Sequence, residues 1–323
     1  MKIGIIGAGG IAGTMAATVS RMDDVTRCAV ASRDLTKARA FAEAYGFEKA
    51  YGSYEELVSD PEVDFVYIAT PHSHHFEHAA LCIRHSKHVL CEKAFTMNAA
   101  QAEELFRLAG EHGVLITEAI WTRYMPSRRI INELLEEGVI GEVRTLTANL
   151  SYRICQNERI VRPELAGGAL LDVGVYPLNF ALMHFGNGYQ SISSSAVMTD
   201  TGVDGQNCLT LAWPDGRFAV LNSGIYGESD RRGTFYGSEG YMVVENINNP
   251  EEILIYDNSH RQIRRVEVPE QISGYEYEVR ELMNCIRRGE KECPSMPHAE
   301  TLRVMRIMDG LRSEWGIVYP QER

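Results

Sequence analysis

The apolar run Lys2-Ile3-Gly4-Ile5-Ile6 leads straight into Gly7-Ala8-Gly9-Gly10-Ile11-Ala12. A strand feeding a G-x-G-x-x-A turn leaves few folds open. Gly7 permits the tight turn, and Gly9, lacking a side chain, lets a phosphate approach the backbone. Ala12 replaces the third glycine and still lets the helix pack close to the strand. The N–H groups that open this helix, at Gly10 and Ile11, face any anion bound there. Small residues at such a turn also serve packing alone. The second apolar run, at 26–31, favours a dinucleotide-binding β-α-β unit.

Alternation continues through the first third. Strands are predicted at 2–6, 26–31, 65–69, 87–91 and 114–118, with helices at 11–21, 35–45, 54–59, 75–84 and 99–111. Ser53-Tyr54-Glu55-Glu56 reads as a capping box. This pattern predicts a doubly wound parallel sheet, with ligands beyond the carboxyl ends of its strands. After about residue 123 the period changes to two. A helix at 127–137 is followed by strands predicted at 142–154, 191–198, 206–213, 217–223, 233–236, 241–246 and 252–257. Trp213-Pro214-Asp215-Gly216-Arg217 signals a hairpin. The last stretch, 275–288 and 297–315, is helical.

The expected architecture is an α/β Rossmann domain at 1–123 and an α+β domain at 124–323 with a large, mainly antiparallel open sheet. The final helix is expected to pack back on the first domain. Apolar residues on both sheet faces point to a homodimer or higher homo-oligomer through the open face.

With 32 Lys and Arg against 44 Asp and Glu, the net charge is −12. That balance offers nothing to nucleic acid or an anionic membrane surface. No apolar run approaches the length of a membrane span, and no secretory n-region precedes the first strand. Cysteines 28, 82, 91, 155, 208, 285 and 293 are odd in number and lack a C-x-x-C pair. They are expected to be free thiols in a cytoplasmic protein.

The second strand ends in Ala31-Ser32-Arg33-Asp34. An acid that accepts from the ribose hydroxyls marks NAD sites. Here Ser32 and Arg33 stand in its place, and Arg suits a 2′-phosphate. NADP is the expected cofactor, and NAD stays open because Asp34 could supply the acid. Ser32 could also simply cap the next helix.

Two segments carry reactive groups. Leu90-Cys91-Glu92-Lys93-Ala94-Phe95 places Glu92 and Lys93 at a strand's carboxyl end. Gly167-Gly168-Ala169-Leu170-Leu171-Asp172-Val173-Gly174-Val175-Tyr176-Pro177 sets Asp172 and Tyr176 four apart, on one face of a helical turn.

These segments, with Ala69-Thr70-Pro71, His75 and Phe235-Tyr236-Gly237-Ser238-Glu239-Gly240, resemble the Gfo/Idh/MocA oxidoreductase superfamily over nearly the whole chain. Within it, Glu118-Ala119-Ile120-Trp121-Thr122-Arg123 and Gly174-Val175-Tyr176 resemble the branch of dimeric dihydrodiol dehydrogenases and NADP-dependent D-xylose dehydrogenases. Many members have Glu-Lys-Pro where this chain has Glu92-Lys93-Ala94, and His where it has Tyr176. The tyrosine points to that branch.

The resemblance implies hydride transfer between a nicotinamide and a secondary or anomeric alcohol of a sugar, polyol or dihydrodiol. Tyr176 then exchanges the proton, Lys93 favours its phenolate, and Asp172 binds a substrate hydroxyl or orients Lys93. A tyrosine's ordinary pKa of about 10 makes that help necessary. Trp121 and Arg123 are implied to lie near the nicotinamide or its phosphates. A structural ion pair for Lys93 and Asp172, and core roles for Tyr176 and Trp121, are the plainer alternatives. A dinucleotide-binding metabolite sensor of the same fold is the rival function.

Thr70, Pro71 and His72 follow a strand end and are expected to line the cofactor crevice, with His75 at the helix start. His74 and His78 have the spacing of metal ligands, but no added carboxylate pattern supports a metal, and none is expected.

Overall fold

The computed structural model describes all 323 residues. They form two compact units, each built from two stretches of chain: 1–121 with 271–306, and 122–270 with 307–323.

In the first unit the elements are β1 (Lys2–Ile6), α1 (Gly10–Val19), β2 (Thr26–Ala31), α2 (Leu35–Tyr45), β3 (Lys49–Tyr51), α3 (Tyr54–Ser59), β4 (Phe65–Ile68), α4 (His72–Arg84), β5 (His88–Glu92), α5 (Ala99–His112) and β6 (Ile116–Ala119). The strands form one parallel sheet in the order β3-β2-β1-β4-β5-β6. Strand order reverses at β1, which places the Gly7–Ala12 turn at the switch point. Strands β1, β4 and β5 are almost wholly buried apolar runs (Ile3, Ile5 and Ile6; Phe65 to Ile68; Val89 to Cys91), as a sheet covered on both faces requires. The capping box predicted at Ser53 and Glu56 is formed.

The second unit contains α6 (Pro126–Glu136), β7 (Val143–Ser151), α7 (Glu158–Val161), α8 (Val175–Phe185), β8 (Ser191–Met198), β9 (Asp204–Ala212), β10 (Phe218–Gly224), β11 (Gly233–Gly237), β12 (Gly240–Val244), β13 (Glu252–Asp257) and β14 (Gln262–Glu267). Its sheet runs β14-β13-β12-β11-β7-β10-β9-β8. All pairings are antiparallel except β7 with β10. Alternation in β7 buries Leu146, Ala148 and Leu150 on one face. The Trp213–Arg217 hairpin closes through Trp213 N–H to the Arg217 carbonyl at 2.9 Å, with Gly216 at φ +86°.

Helices α9 (Glu276–Arg288) and α10 (His298–Glu314) follow. Residues 271–306, including all of α9, belong to the first unit. Val279, Leu282, Met283 and Cys285 form the buried stripe of α9. The Thr301 hydroxyl donates to buried Glu118 at 3.1 Å.

Several expectations change. Helix α4 starts at His72 rather than 75, and the short strand β3 and the exposed strand β14 were not predicted. Strand β3 has three residues and β14 is almost wholly exposed, so neither carries an apolar alternation. The reading that no apolar run reaches membrane length also fails. Pro163–Phe185 is long and apolar enough to cross a membrane, yet it is almost wholly buried within the protein. Its apolar side chains are core.

Candidate active site

The turn after β1 has the geometry that phosphate binding needs. Gly7 adopts φ +103°, and a Cβ there would sit 2.7 Å from the Ala69 carbonyl. Gly9 and Gly10 instead face open space. No side chain caps α1, and no acid lies in its first turn. The open cradle and uncapped amides at Gly10 and Ile11 fit a dinucleotide pyrophosphate, and buried Ala12 keeps the helix close.

At the end of β2, Asp34 caps α2 by accepting from the N–H groups of Thr36 (2.8 Å) and Lys37 (3.3 Å). Ser32 Oγ accepts from the Asp34 amide at 3.3 Å. Arg33 lies beside Tyr54; burial raises the Tyr54 phenol's pKa, and the Arg33 charge partly offsets this. Tyr54 meets His78 edge-on at 4.5 Å. The Thr70 hydroxyl lies 3.0 Å from His78 Nδ1, and burial depresses that imidazole to about 4. His78 is thus a neutral ring built into the wall between α3 and α4, and His74 packs edge-on against it at 5.7 Å.

Pro71 is the N-cap of α4. His72 is buried and edge-on to His75 at 5.7 Å. His75 is fully buried, with Nδ1 2.9 Å from the Ala94 carbonyl and Nε2 2.7 Å from the Thr70 carbonyl. It ties the loop after β4 to the loop that carries Lys93. Glu92, closing β5, accepts from the Tyr67 hydroxyl and, at 3.2 Å, from the Lys93 amide. The Lys93–Ala94 peptide is cis.

Sequence reasoning missed the contribution of α9 and the turn before it. Tyr275 stacks on Trp121 at 4.1 Å, with ring planes 14° apart. Glu278 is fully buried, and neither carboxyl oxygen has a hydrogen-bond partner. Burial first, and then the Glu92 charge, raise its pKa well above the ordinary carboxylate range. An acid standing on the apolar phase of an amphipathic helix, with Leu282 four residues on, was the available signal.

In the second unit, Asp172 and Tyr176 straddle a change of winding. Leu170–Gly174 is π-helical, and the Val175 N–H reaches back to the Leu170 carbonyl before α8 begins. Such interruptions gather at functional sites. Asp172 and Tyr176 are both largely buried. Arg159, on α7, donates to Asp172 Oδ1 at 2.8 Å. Arg123 is 2% exposed and donates from Nε to Asn179 at 2.6 Å. Asn179 in turn donates to the Val175 carbonyl at 2.8 Å. The Arg123 guanidinium is therefore built against the first turn of α8.

A switch-point glycine turn and an uncapped helix start are the marks of a dinucleotide-dependent oxidoreductase. The chain belongs to the Gfo/Idh/MocA oxidoreductase family. Residues 1–120 match the oxidoreductase family NAD-binding Rossmann fold, and residues 129–243 match the GFO/IDH/MocA C-terminal domain. It is 35% identical to trans-1,2-dihydrobenzene-1,2-diol dehydrogenase of Xenopus tropicalis, over 99% of both chains. The mouse enzyme of that name is 33% identical, over 100% of this chain and 99% of its own. Among solved structures, the 3-ketoreductase KijD10 of Actinomadura kijaniata, in complex with NADP and TDP-benzene, superposes with a TM-score of 0.88. It is 27% identical over 97% of each chain. The aldose-aldose oxidoreductase of Caulobacter crescentus shares the fold at a TM-score of 0.88 and 21% identity, covering 98% of this chain and 97% of its own.

Proposed function

We propose that the protein is an NADP-dependent dehydrogenase acting on the CH–OH group of a sugar, polyol or trans-diol. The observation that carries this reading is full-length kinship with enzymes named for dehydrogenating a trans-dihydrodiol. When bound, the nicotinamide supplies the hydride acceptor. Tyr176 takes the hydroxyl proton at its phenol oxygen. The Lys93 ammonium favours the phenolate and donates a hydrogen bond to the reacting oxygen. Asp172 accepts from a neighbouring substrate hydroxyl.

Preference for NADP rests on Arg33. With the Asp34 carboxylate engaged as a helix cap, a guanidinium is the charged group left at the end of β2 for a 2′-phosphate. Gly7, Gly9, Gly10, Ile11 and Ala12 would cradle the pyrophosphate. Thr70, Pro71 and His72 would line the crevice, with Trp121 as an apolar wall.

The working form is a homodimer through the open sheet face. Register aligns Phe218, Thr145, Tyr236, Tyr241 and Tyr256 in one row across five strands, and Phe218 and Tyr236 are 38% and 43% exposed. A second copy would cover this aromatic band. A monomeric mass by light scattering at micromolar concentration would count against it. Seven free cysteines support a reducing, cytoplasmic setting, which fractionation of the source cells would test.

The deciding experiment is a spectrophotometric screen for NADP and NAD reduction with pentoses, hexoses, inositols and trans-diols. Turnover with at least one of these substrates, faster with NADP, is expected. Tight NADP binding with no turnover would favour the metabolite sensor.

A further inference from the structure

The two glycines that bracket the Asp172 segment are needed for a shared reason. Asp204 opens β9, is 1% exposed, and presses against the near end: a Cβ on Gly168, whose φ is +122°, would overlap Asp204 Oδ1. At the far end, a Cβ on Gly174 would come within 2.9 Å of Ser223 Oγ. Between them runs a continuous polar row. Asp204 Oδ2 accepts from the Leu170 backbone N–H at 2.8 Å and from Asn207 Nδ2 at 2.9 Å. Asn207 Oδ1 accepts from the Ser223 hydroxyl at 2.9 Å. All three side chains are buried. A π-helical segment that carries Asp172 and leads into Tyr176 thus rests on a polar seat inside an otherwise apolar sheet face.

We propose that Asp204, backed by Asn207 and Ser223, is the positioning residue for the reaction: its carboxylate holds the Leu170 amide and thereby sets Asp172 and Tyr176. This rests on the dehydrogenase reading above. The Leu170 N–H belongs to the first turn of the segment, where backbone donors lack intrahelical partners. An ionised acceptor there makes a shorter and stronger bond than a neutral one, by roughly twofold. Several ionisable groups face the carboxylate. Arg312, from α10, favours its ionised form, and Tyr319 holds a phenol that burial keeps neutral. Asp172, on the seated segment itself, is paired with Arg159. Burial outweighs the hydrogen bonds and Arg312, and raises Asp204 to about 6. The grip on Leu170 should therefore weaken as pH falls through that value.

Stability runs in the opposite direction. A carboxyl whose folded pKa is raised contributes most to stability below its unfolded value, and loses that contribution as pH rises through the folded pKa. At neutral pH the ionised Asp204 costs stability while it secures geometry. A residue kept only for packing would show no such opposition.

The test is Asp204→Asn in the full-length chain, compared with wild type between about pH 5 and pH 8. Three quantities are read: turnover, melting temperature, and amide exchange of residues 168–176 corrected for intrinsic rate. The variant is expected to have kcat lowered about tenfold at the upper pH, the size of a weakened charge-assisted hydrogen bond. Its KM for NADP should be unchanged. Its exchange should be as fast at pH 8 as that of wild type at pH 5, and the acid limb of wild-type kcat should be missing. Its melting temperature relative to wild type should climb as pH rises. Wild-type kcat, or an unchanged acid limb, would overturn the proposal. So would a uniform loss of melting temperature without faster exchange at 168–176. If Asp204→Asn does not fold, Ser223→Ala takes its place for the kinetic arm. Wild-type exchange at the two pH values then decides, and equal protection overturns the proposal. Should wild type oxidise none of the substrates screened, the dehydrogenase reading fails while the exchange measurement still judges the seat.

Discussion

Arg159 Nη1 donates to Asp172 Oδ1 at 2.8 Å, joining a guanidinium that is more than one-third exposed to a carboxylate that is nearly buried. In this pair one partner reaches water and the other lies on the π-helical segment that leads into α8. A substrate hydroxyl donating to Asp172 would share the carboxylate with Arg159. Arg159→Ala should therefore raise the substrate KM roughly tenfold, about 1.4 kcal/mol, and leave the KM for NADP unchanged. The exposure of Arg159 limits its direct share in stability to about 1 kcal/mol or less. Initial-rate kinetics with each substrate varied in turn checks this. Equal rises in both KM values would assign the pair to general folding.

The proposed mechanism assigns proton exchange to Tyr176 and Lys93. Replacing Tyr176 by Phe removes the exchanging group and keeps the ring, so kcat should fall by about 10²–10⁴. Lys93→Ala should fall within the same range. Both variants should still quench their intrinsic fluorescence on titration with NADPH. Normal turnover in either would remove that residue from the mechanism.

Cofactor choice should turn on one guanidinium. Arg33→Ala is expected to raise the KM for NADP by about 10- to 100-fold, corresponding to roughly 1.4–2.8 kcal/mol, with little change for NAD. Asp34→Ala, by contrast, should disturb only the cap of α2, at about 1 kcal/mol. Loss of NAD binding in the Asp34 variant, with NADP binding kept or improved, would instead assign that acid to the ribose hydroxyls of NAD.

Glu278 offers a stability test in the first unit. Its folded pKa lies well above the unfolded value, so its stabilising share is complete in acid and declines as pH rises. Glu278→Gln keeps the shape and abolishes this decline. The variant should melt near wild type in acid and above it in mildly alkaline buffer, by roughly 2–4 °C for each kcal/mol relieved. A gap that stays constant with pH would mean that burial does not hold the carboxyl neutral.

Local patterns carried much of the architecture. Strand β1, the glycine turn and helices α2 and α3 could be read to the residue, because each signal lies within a few positions. The return of 271–306 to the first unit could be anticipated only as a packing preference of the last helix. Its anchors, Thr301 on Glu118 and Tyr275 on Trp121, join positions more than 150 apart, and no periodicity links them. Asp172 and Tyr176 were legible as a pair, but the π-turn between them was not. Its neighbours Asp204 and Ser223 lie on β9 and β10, contributed later in the chain. In one dimension the histidine cluster offers only the metal-ligand spacing of His74 and His78, with no carboxylate pattern to support a metal. In three, His75 bridges two carbonyls and His78 lies beside the Thr70 hydroxyl.

Because the nucleotide-binding unit takes its closing helix from residues 271–306, a ribosome must synthesise 122–270 before that unit can be finished. At about 5–20 residues per second the wait is roughly 10–30 s. Throughout it, the nascent sheet lacks Tyr275 over Trp121 and the hydroxyl of Thr301. Chains arrested before residue 271 should be cut readily by protease near β6, and chains released at full length should resist. Any gene fusion or module swap must carry both pieces, or it will inherit an unfinished half.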